Sequence, residues 1–216
     1  MDPARIDNRT LMLSLAAVGG SELLTASILS LVPGVDTIAF TGSVRLLEGA
    51  FILWIVATVG PGLAALGLSR STAARGIGRG LLWSAAFGAL AAAAGGLLYW
   101  AGMPIPSAAS MGLPQGWIAM AKFFLVAGLI GPVAEEIFFR GILFGFFRRW
   151  GFPLALAVST ALFAVVHPFQ NLPVTQVIGG ILFALAYEKE GSLLAPITIH
   201  VTGNNALFLL ALWMRS

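Results

Sequence analysis

Long apolar runs alternate with short polar breaks along this chain. Leu11 to Val32 is apolar but interrupted by Gly19, Gly20 and Glu22. Val44 to Leu68 follows, with Gly60-Pro61 as an expected kink, then Gly80 to Ala101, rich in Ala, Gly and Leu. Trp117 to Phe147 is a longer run broken by Gly131-Pro132. Phe152 to His167, Val174 to Tyr187 and Leu193 to Trp213 complete the series. The runs are too long for strands and lack their alternation, so each reads as a helix. At roughly 20 residues per crossing the pattern predicts about seven spans, within a range of six to eight. The first run is the weakest, and the pattern leaves open whether residues 11–32 cross the membrane.

Composition moves the reading the same way. Of the 216 residues, 58% are hydrophobic and 10% are charged, against about 25% charged in an ordinary soluble domain. The expectation is an all-α polytopic transmembrane bundle, one integral-membrane domain over 1–216, with membrane lipids as partners. Its 26 glycines suit close helix approach in lipid. There is no cysteine, which excludes disulfides, a thiol nucleophile and thiolate metal sites. No cleavable signal peptide is expected.

The formal charge of +3 reads as topology rather than nucleic-acid binding. Arg5 and Arg9, then Arg70, Arg75 and Arg79, then Arg148 and Arg149, then Lys189 fall on one side of a seven-span chain. The stretches Pro33 to Ser43, Gly102 to Gln115 and Pro168 to Pro173 carry no Lys or Arg. The side rich in Lys and Arg is cytoplasmic, so a cytoplasmic N-terminus and a multi-pass place in a cell membrane are expected. Arg45, Lys122 and Arg215 are the exceptions, and Lys122 is expected to snorkel outward. The six tryptophans read mostly as interface anchors.

Against this background a few ionisable residues stand out. Glu135, Glu136, Arg140, His167 and His200 lie in apolar runs, where each costs roughly 2.5–3.5 kcal/mol on insertion scales. His167 and His200 are the chain's two histidines. Helix rise puts Glu135 about 20 Å above Arg149, His167 about 22 Å above Gly151 and His200 about 13 Å above Gly191. All three levels are compatible with the middle of a core about 30 Å thick. Glu136 and Arg140 are four apart and can pair, whereas Glu135 points about 100° away and stays free. His200 shares a face with Asn204, and Phe163 with His167. A carboxylate in a low-dielectric site can act as general base, and His200 with Asn204 can stabilise an oxyanion. Two histidines and a glutamate are equally a zinc set with an open water position, although no HExxH helix is present. Glu22 and Glu48 are left unassigned.

The motifs Glu135-Glu136-Ile-Phe-Phe-Arg140, Phe163-Ala-Val-Val-His167 and His200-Val-Thr-Gly-Asn204, in this order on successive apolar runs, resemble the CPBP family of CAAX proteases and bacteriocin-processing enzymes, also called the Abi family. The family includes the type II CAAX prenyl endopeptidases. Every motif position carries the family residue, and the motifs span residues 135–204 within a motif-bearing core of about 117–214. It implies Glu135 as general base, His167 as its water-orienting partner, His200 and Asn204 as the oxyanion hole, and Glu136, Arg140 and Phe163 as support. It favours a glutamate protease that requires no cofactor, with a zinc metalloprotease held by Glu135, His167 and His200 as the alternative. The implied substrate is a membrane-embedded or prenylated peptide or protein. Short loops and an Ala/Gly/Arg-rich composition look bacterial, which points to the inner or plasma membrane and to peptide pheromones or bacteriocin precursors as substrates. A non-catalytic scaffold or bacteriocin-immunity protein and a small proton-coupled transporter are the competing readings. Oligomeric state is not legible.

Overall fold

The computed structural model describes residues 6–103, 112–167 and 174–215. Among the described residues the fold is all helical. Seven helices follow one another: α1 (Asn8–Leu31), α2 (Thr37–Thr58), α3 (Arg70–Trp100), α4 (Trp117–Trp150), α5 (Phe152–Val166), α6 (Val174–Glu190) and α7 (Leu194–Trp213). α1, α2, α4, α7 and the stretch Leu63–Trp100 are long and apolar enough to cross a membrane. With 15 and 17 residues, α5 and α6 fall short of the ~20 that a bilayer core asks for.

Several boundaries correct the sequence reading. The glycines and Glu22 do not interrupt α1, because Glu22 finds a partner in the next helix. Gly60-Pro61 does not kink α2 but lies beyond its end, and a short 3₁₀ turn follows at Leu63–Leu66. α3 starts ten residues before the expected Gly80, so Arg70, Arg75 and Arg79 lie on its first turns rather than in a loop. Gly131-Pro132 does not break α4, which passes through them between two π-helical stretches, Val126–Ile130 and Ile137–Phe144. The stretch Pro168 to Pro173 lies outside the described residues, as does most of Gly102 to Gln115.

Aspartates set two helix starts. Asp7 accepts the Thr10 N–H at 2.7 Å and Asp36 the Ala39 N–H at 3.0 Å, which satisfies donors that open a helix. The hydrogen bond from Lys122 to Asp36 (2.5 Å), reinforced by the Ala39 N–H, holds the Asp36 carboxyl below its ordinary range. Lys122 thus reaches outward as expected, onto a carboxylate.

The middle of α4 is the axis of the bundle. Ile137, Phe139, Ile142, Leu143 and Phe146 are buried in one core cluster with Ile52 and Val56 of α2, Phe163 of α5, Phe183 of α6 and Ile199 of α7. Large apolar side chains such as Leu47, Leu90 and Val165 are exposed, as a lipid-facing surface requires. α3 and α7 meet through small residues. A Cβ added to Gly80 would lie 2.6 Å from Thr198 Cβ and 2.8 Å from the Ala195 carbonyl, and Ser84 and Thr202 share a hydroxyl hydrogen bond of 2.7 Å. The turns before α3 and α7 are joined by the Leu193 N–H, which donates to the Leu66 carbonyl at 3.1 Å. Gly67 at this junction has φ +68°, and a Cβ there would sit 2.1 Å from the Gly191 carbonyl oxygen.

Ion pairs gather at one end of the bundle. Arg149 donates to the Ile6 carbonyl and to Asn8 (3.3 Å), Arg148 pairs with Glu188, and Arg79 pairs with Glu190 at 2.9 Å. The start of α1, the end of α4, the first third of α3 and the end of α6 therefore share that end, which groups the basic side chains as the charge pattern predicts. The exceptions are all engaged: Arg45 pairs with Glu22 and with Glu48, Lys122 with Asp36, and Arg215 donates to the Leu113 carbonyl at 3.0 Å.

Candidate active site

α4 supplies two carboxylates with different surroundings. Glu136 is fully buried. Its Oε1 accepts Arg140 Nη1 at 2.9 Å, one turn along as the spacing predicts. Arg140 is also fully buried, donates through Nη2 to the Gly180 carbonyl of α6 at 3.3 Å, and lies over the rings of Phe163 (4.6 Å) and Phe183 (5.0 Å). One guanidinium thus fastens α4 to α5 and α6. A pair this deep holds because both partners are present, and removing one would strand a buried charge.

Glu135 faces elsewhere, with 24% of its side chain exposed. Its Oε2 lies 3.6 Å from Nε2 of His167 and 3.8 Å from Nε2 of His200. The three levels counted from helix rise therefore meet, with a carboxylate and two imidazoles around one point. His167 is the residue that ends α5, in extended backbone (φ −87°, ψ 128°). Phe163 packs beside both imidazoles, at 4.5 Å from His167 and 5.8 Å from His200.

The other nitrogen of each ring is committed. His167 Nδ1 lies 2.7 Å from the Phe163 carbonyl and His200 Nδ1 lies 2.8 Å from Glu136 Oε1. A carbonyl and a carboxylate only accept, so both Nδ1 positions carry the proton. In the neutral rings both Nε2 lone pairs then face Glu135. Three acceptors converging on one point call for shared protons, a water or a cation between them. As a donor set, Glu135, His167 and His200 suit zinc, and Nδ1–H bonds to a carboxylate and a carbonyl are what orient metal-ligating histidines. As placed, no group of three or more His, Asp or Glu side chains among the described residues is close enough to hold a metal ion.

Asn204 is one turn beyond His200 on α7, as its spacing predicts. Its Nδ2 donates to the Ala127 carbonyl at 3.0 Å, in the π-helical stretch of α4 before Pro132. One amide hydrogen is thus engaged, and the second remains for another acceptor.

Three features of the neighbourhood had little or no sequence signal. Phe183 stacks on His200 (4.5 Å, 22°), and an isolated phenylalanine in an apolar run does not announce this. Asn205 donates from α7 to the Gly128 carbonyl of α4 at 2.8 Å. The residues left unassigned, Glu22 and Glu48, join Arg45 and Ser21 in one polar network between α1 and α2. In it Arg45 Nη1 lies 2.6 Å from Glu48, and Ser21 donates to Glu48 at 2.5 Å. The charges in otherwise apolar runs were the available signal there.

The fold and these groups describe a multi-pass membrane helix bundle with a carboxylate and two imidazoles facing one another in its interior. The family model of the type II CAAX prenyl endopeptidases, Rce1-like, matches residues 117–206. The resemblance read from the three motifs is therefore shown over the stretch that runs from α4 into α7. Relatives match a similar share of the chain. The "Membrane-embedded CAAX protease MroQ" of Staphylococcus aureus is 36% identical over 90 residues, 38% of this chain and 36% of that protein. The "Putative membrane peptidase YdiL" of Bacillus subtilis is 28% identical over 95 residues, 44% of this chain and 39% of that protein. The chain thus spans about two fifths of the length of these relatives in the match. No solved structure matches it.

Proposed function

We propose that the protein is an intramembrane endopeptidase of the CAAX-protease kind, hydrolysing a peptide bond of a membrane-embedded or lipidated peptide with water activated by Glu135. The observation that carries this reading is the approach of Glu135 Oε2 to both imidazole Nε2 atoms at 3.6 and 3.8 Å. A water between these groups donates one hydrogen to Glu135 and the other to the His167 Nε2 lone pair, which leaves an oxygen lone pair directed at the scissile carbonyl. Glu135 takes the proton as the C–O bond forms, and returns it to the amine as the C–N bond breaks.

The tetrahedral oxyanion needs donors. Asn204 offers its second Nδ2 hydrogen. His200 gives its Nδ1–H to Glu136, so it donates from Nε2 only as an imidazolium. Glu136 accepts that Nδ1–H at 2.8 Å, which gives a reason for two adjacent glutamates: one handles the substrate-side proton and the other orients the imidazole that faces it.

The pinned Nδ1 protons favour one second reading. With zinc bound, Glu135, His167 and His200 would hold it and it would acidify a bound water.

The test is cleavage of a fluorogenic prenylated CAAX peptide by purified protein in detergent, comparing wild type, Glu135→Gln and His200→Ala, each with and without a zinc chelator. Cleavage by wild type alone that survives chelation supports the metal-free mechanism. Loss on chelation with recovery on added zinc supports the second reading. Cleavage that survives in Glu135→Gln sinks both.

A further inference from the structure

Pro132 lies three residues before Glu135 and has no backbone N–H. Just before it, the Gly131 N–H donates to the Val126 carbonyl five residues back. The carbonyls five and four residues before Pro132 belong to Ala127 and Gly128, and Pro132 has no hydrogen to give to either. α7 supplies both. Asn204 Nδ2 lies 3.0 Å from the Ala127 carbonyl and Asn205 Nδ2 lies 2.8 Å from the Gly128 carbonyl. Asn205 gives its other amide hydrogen to the Val201 carbonyl of its own helix at 2.7 Å, so both hydrogens of this amide are held.

The contact is built at close quarters. A Cβ added to Gly128 would lie 2.7 Å from Asn205 Oδ1 and 2.9 Å from Nδ2, so the buried backbone at 128 admits the amide because it has no side chain. Glu135 in turn lies back over this stretch, with Oε1 3.8 Å from a Cβ built on Gly131.

We propose that Asn205 is a positioning residue for Glu135. It replaces the hydrogen bond that Pro132 withholds, fixes the wide winding of Val126–Ile130, and so sets the height and rotation at which Glu135 meets His167 and His200. The inference rests on the hydrolytic reading of the site. A buried carbonyl without a donor is costly, and the helix relieves it by rewinding. Rewinding moves Glu135 against two imidazoles carried by other helices. A displacement of about 1 Å at a reacting group costs on the order of 100-fold in rate.

The test is a double-mutant cycle of Asn205→Ala and Pro132→Ala in full-length protein, read by peptide cleavage and by thermal unfolding in detergent. Asn205→Ala is expected to lower kcat by roughly 10- to 100-fold with KM within about twofold. Pro132→Ala restores a backbone N–H, so in that background the same change is expected to cost less than about threefold and to lose most of its effect on Tm. Asn205→Leu keeps the bulk and loses the donor, and should behave as Asn205→Ala. Equal losses in both backgrounds, or a rise in KM with kcat kept, overturn the proposal. If Asn205→Ala does not fold, a folded double variant supports it and an unfolded one overturns it. If wild type cuts no peptide, the hydrolytic reading falls and positioning for catalysis falls with it. The Tm cycle then still decides whether the amide stands in for the proline.

Discussion

His200 and Glu136, on different helices, meet at 2.8 Å through Nδ1 and Oε1. The same oxygen accepts Arg140, so the imidazole and the guanidinium share one carboxylate inside the bundle.

The two glutamates should therefore fail differently. Glu136→Gln leaves Arg140 as an uncompensated buried charge and should destabilise the fold by about 3–5 kcal/mol, lowering both Tm and yield. Glu135→Gln, at a partly open position, should keep Tm within the shift of about 1 kcal/mol and lose cleavage by roughly 100-fold or more. Thermal unfolding in detergent alongside peptide cleavage separates the two.

Arg140→Lys keeps the charge and loses the planar fork. Lysine has no guanidinium plane to lay over Phe163 and Phe183, and one ammonium would have to serve both Glu136 and the Gly180 carbonyl. We expect a loss of about 2 kcal/mol, read as a lower Tm, and no more than partial retention of activity.

The α1–α2 network gives a cycle of its own. Arg45→Ala strands Glu48, whose side chain is only 4% exposed, and should cost a few kcal/mol. Glu48→Gln added to Arg45→Ala should recover much of that loss. A double variant no more stable than Arg45→Ala would show that the stranded Glu48 carboxylate is not the source of the loss.

Much of this was legible in the sequence, and the parts that were not share a cause. Glu135, Glu136, Arg140 and the histidines were visible because a charge in an apolar run is unusual, and the i,i+4 pair of Glu136 and Arg140 followed from helix spacing. The start of α3 is hidden because hydropathy marks the lipid-buried part of a helix, while the helix itself runs through Arg70, Arg75 and Arg79; the end of α2 is hidden because the apolar run continues past Thr58 into a 3₁₀ turn. The passage of α4 through Pro132 was illegible for a different reason. The groups that compensate the proline sit about 70 residues later on α7, and no local pattern contains them.

Gly67→Ala should be among the more damaging single-methyl changes in the chain. The position has positive φ, and the added carbon would meet the Gly191 carbonyl oxygen at 2.1 Å. Backbone on both sides leaves no flexible side chain to move, so a loss above about 3 kcal/mol is expected. Gly203→Ala, inside a helix and with open space around it, is the control and should not lower Tm.

The Asp36 carboxyl, held low by Lys122 and the Ala39 N–H, gives a stability contribution that is present above the unfolded-state carboxylate value. It is lost as pH falls through the lowered folded value. Tm of wild type should therefore fall on acidification below roughly pH 4, and Asp36→Asn should make that fall shallower. An unchanged slope in the variant would remove Asp36 from the acid response.

The shortness of α5 bears on what surrounds the candidate site. From Phe152 to Val166 the helix rises about 22 Å, less than the roughly 30 Å of hydrocarbon around it, and His167 sits at the point where it stops. The end of a helix exposes polar backbone that lipid does not tolerate unpaired. His167 covers two such carbonyls, that of Phe163 with its ring and that of Ala164 with its N–H. The same truncation that delivers an imidazole to the candidate site thus places the polar end of a helix at a depth where the bilayer would otherwise meet only side chains.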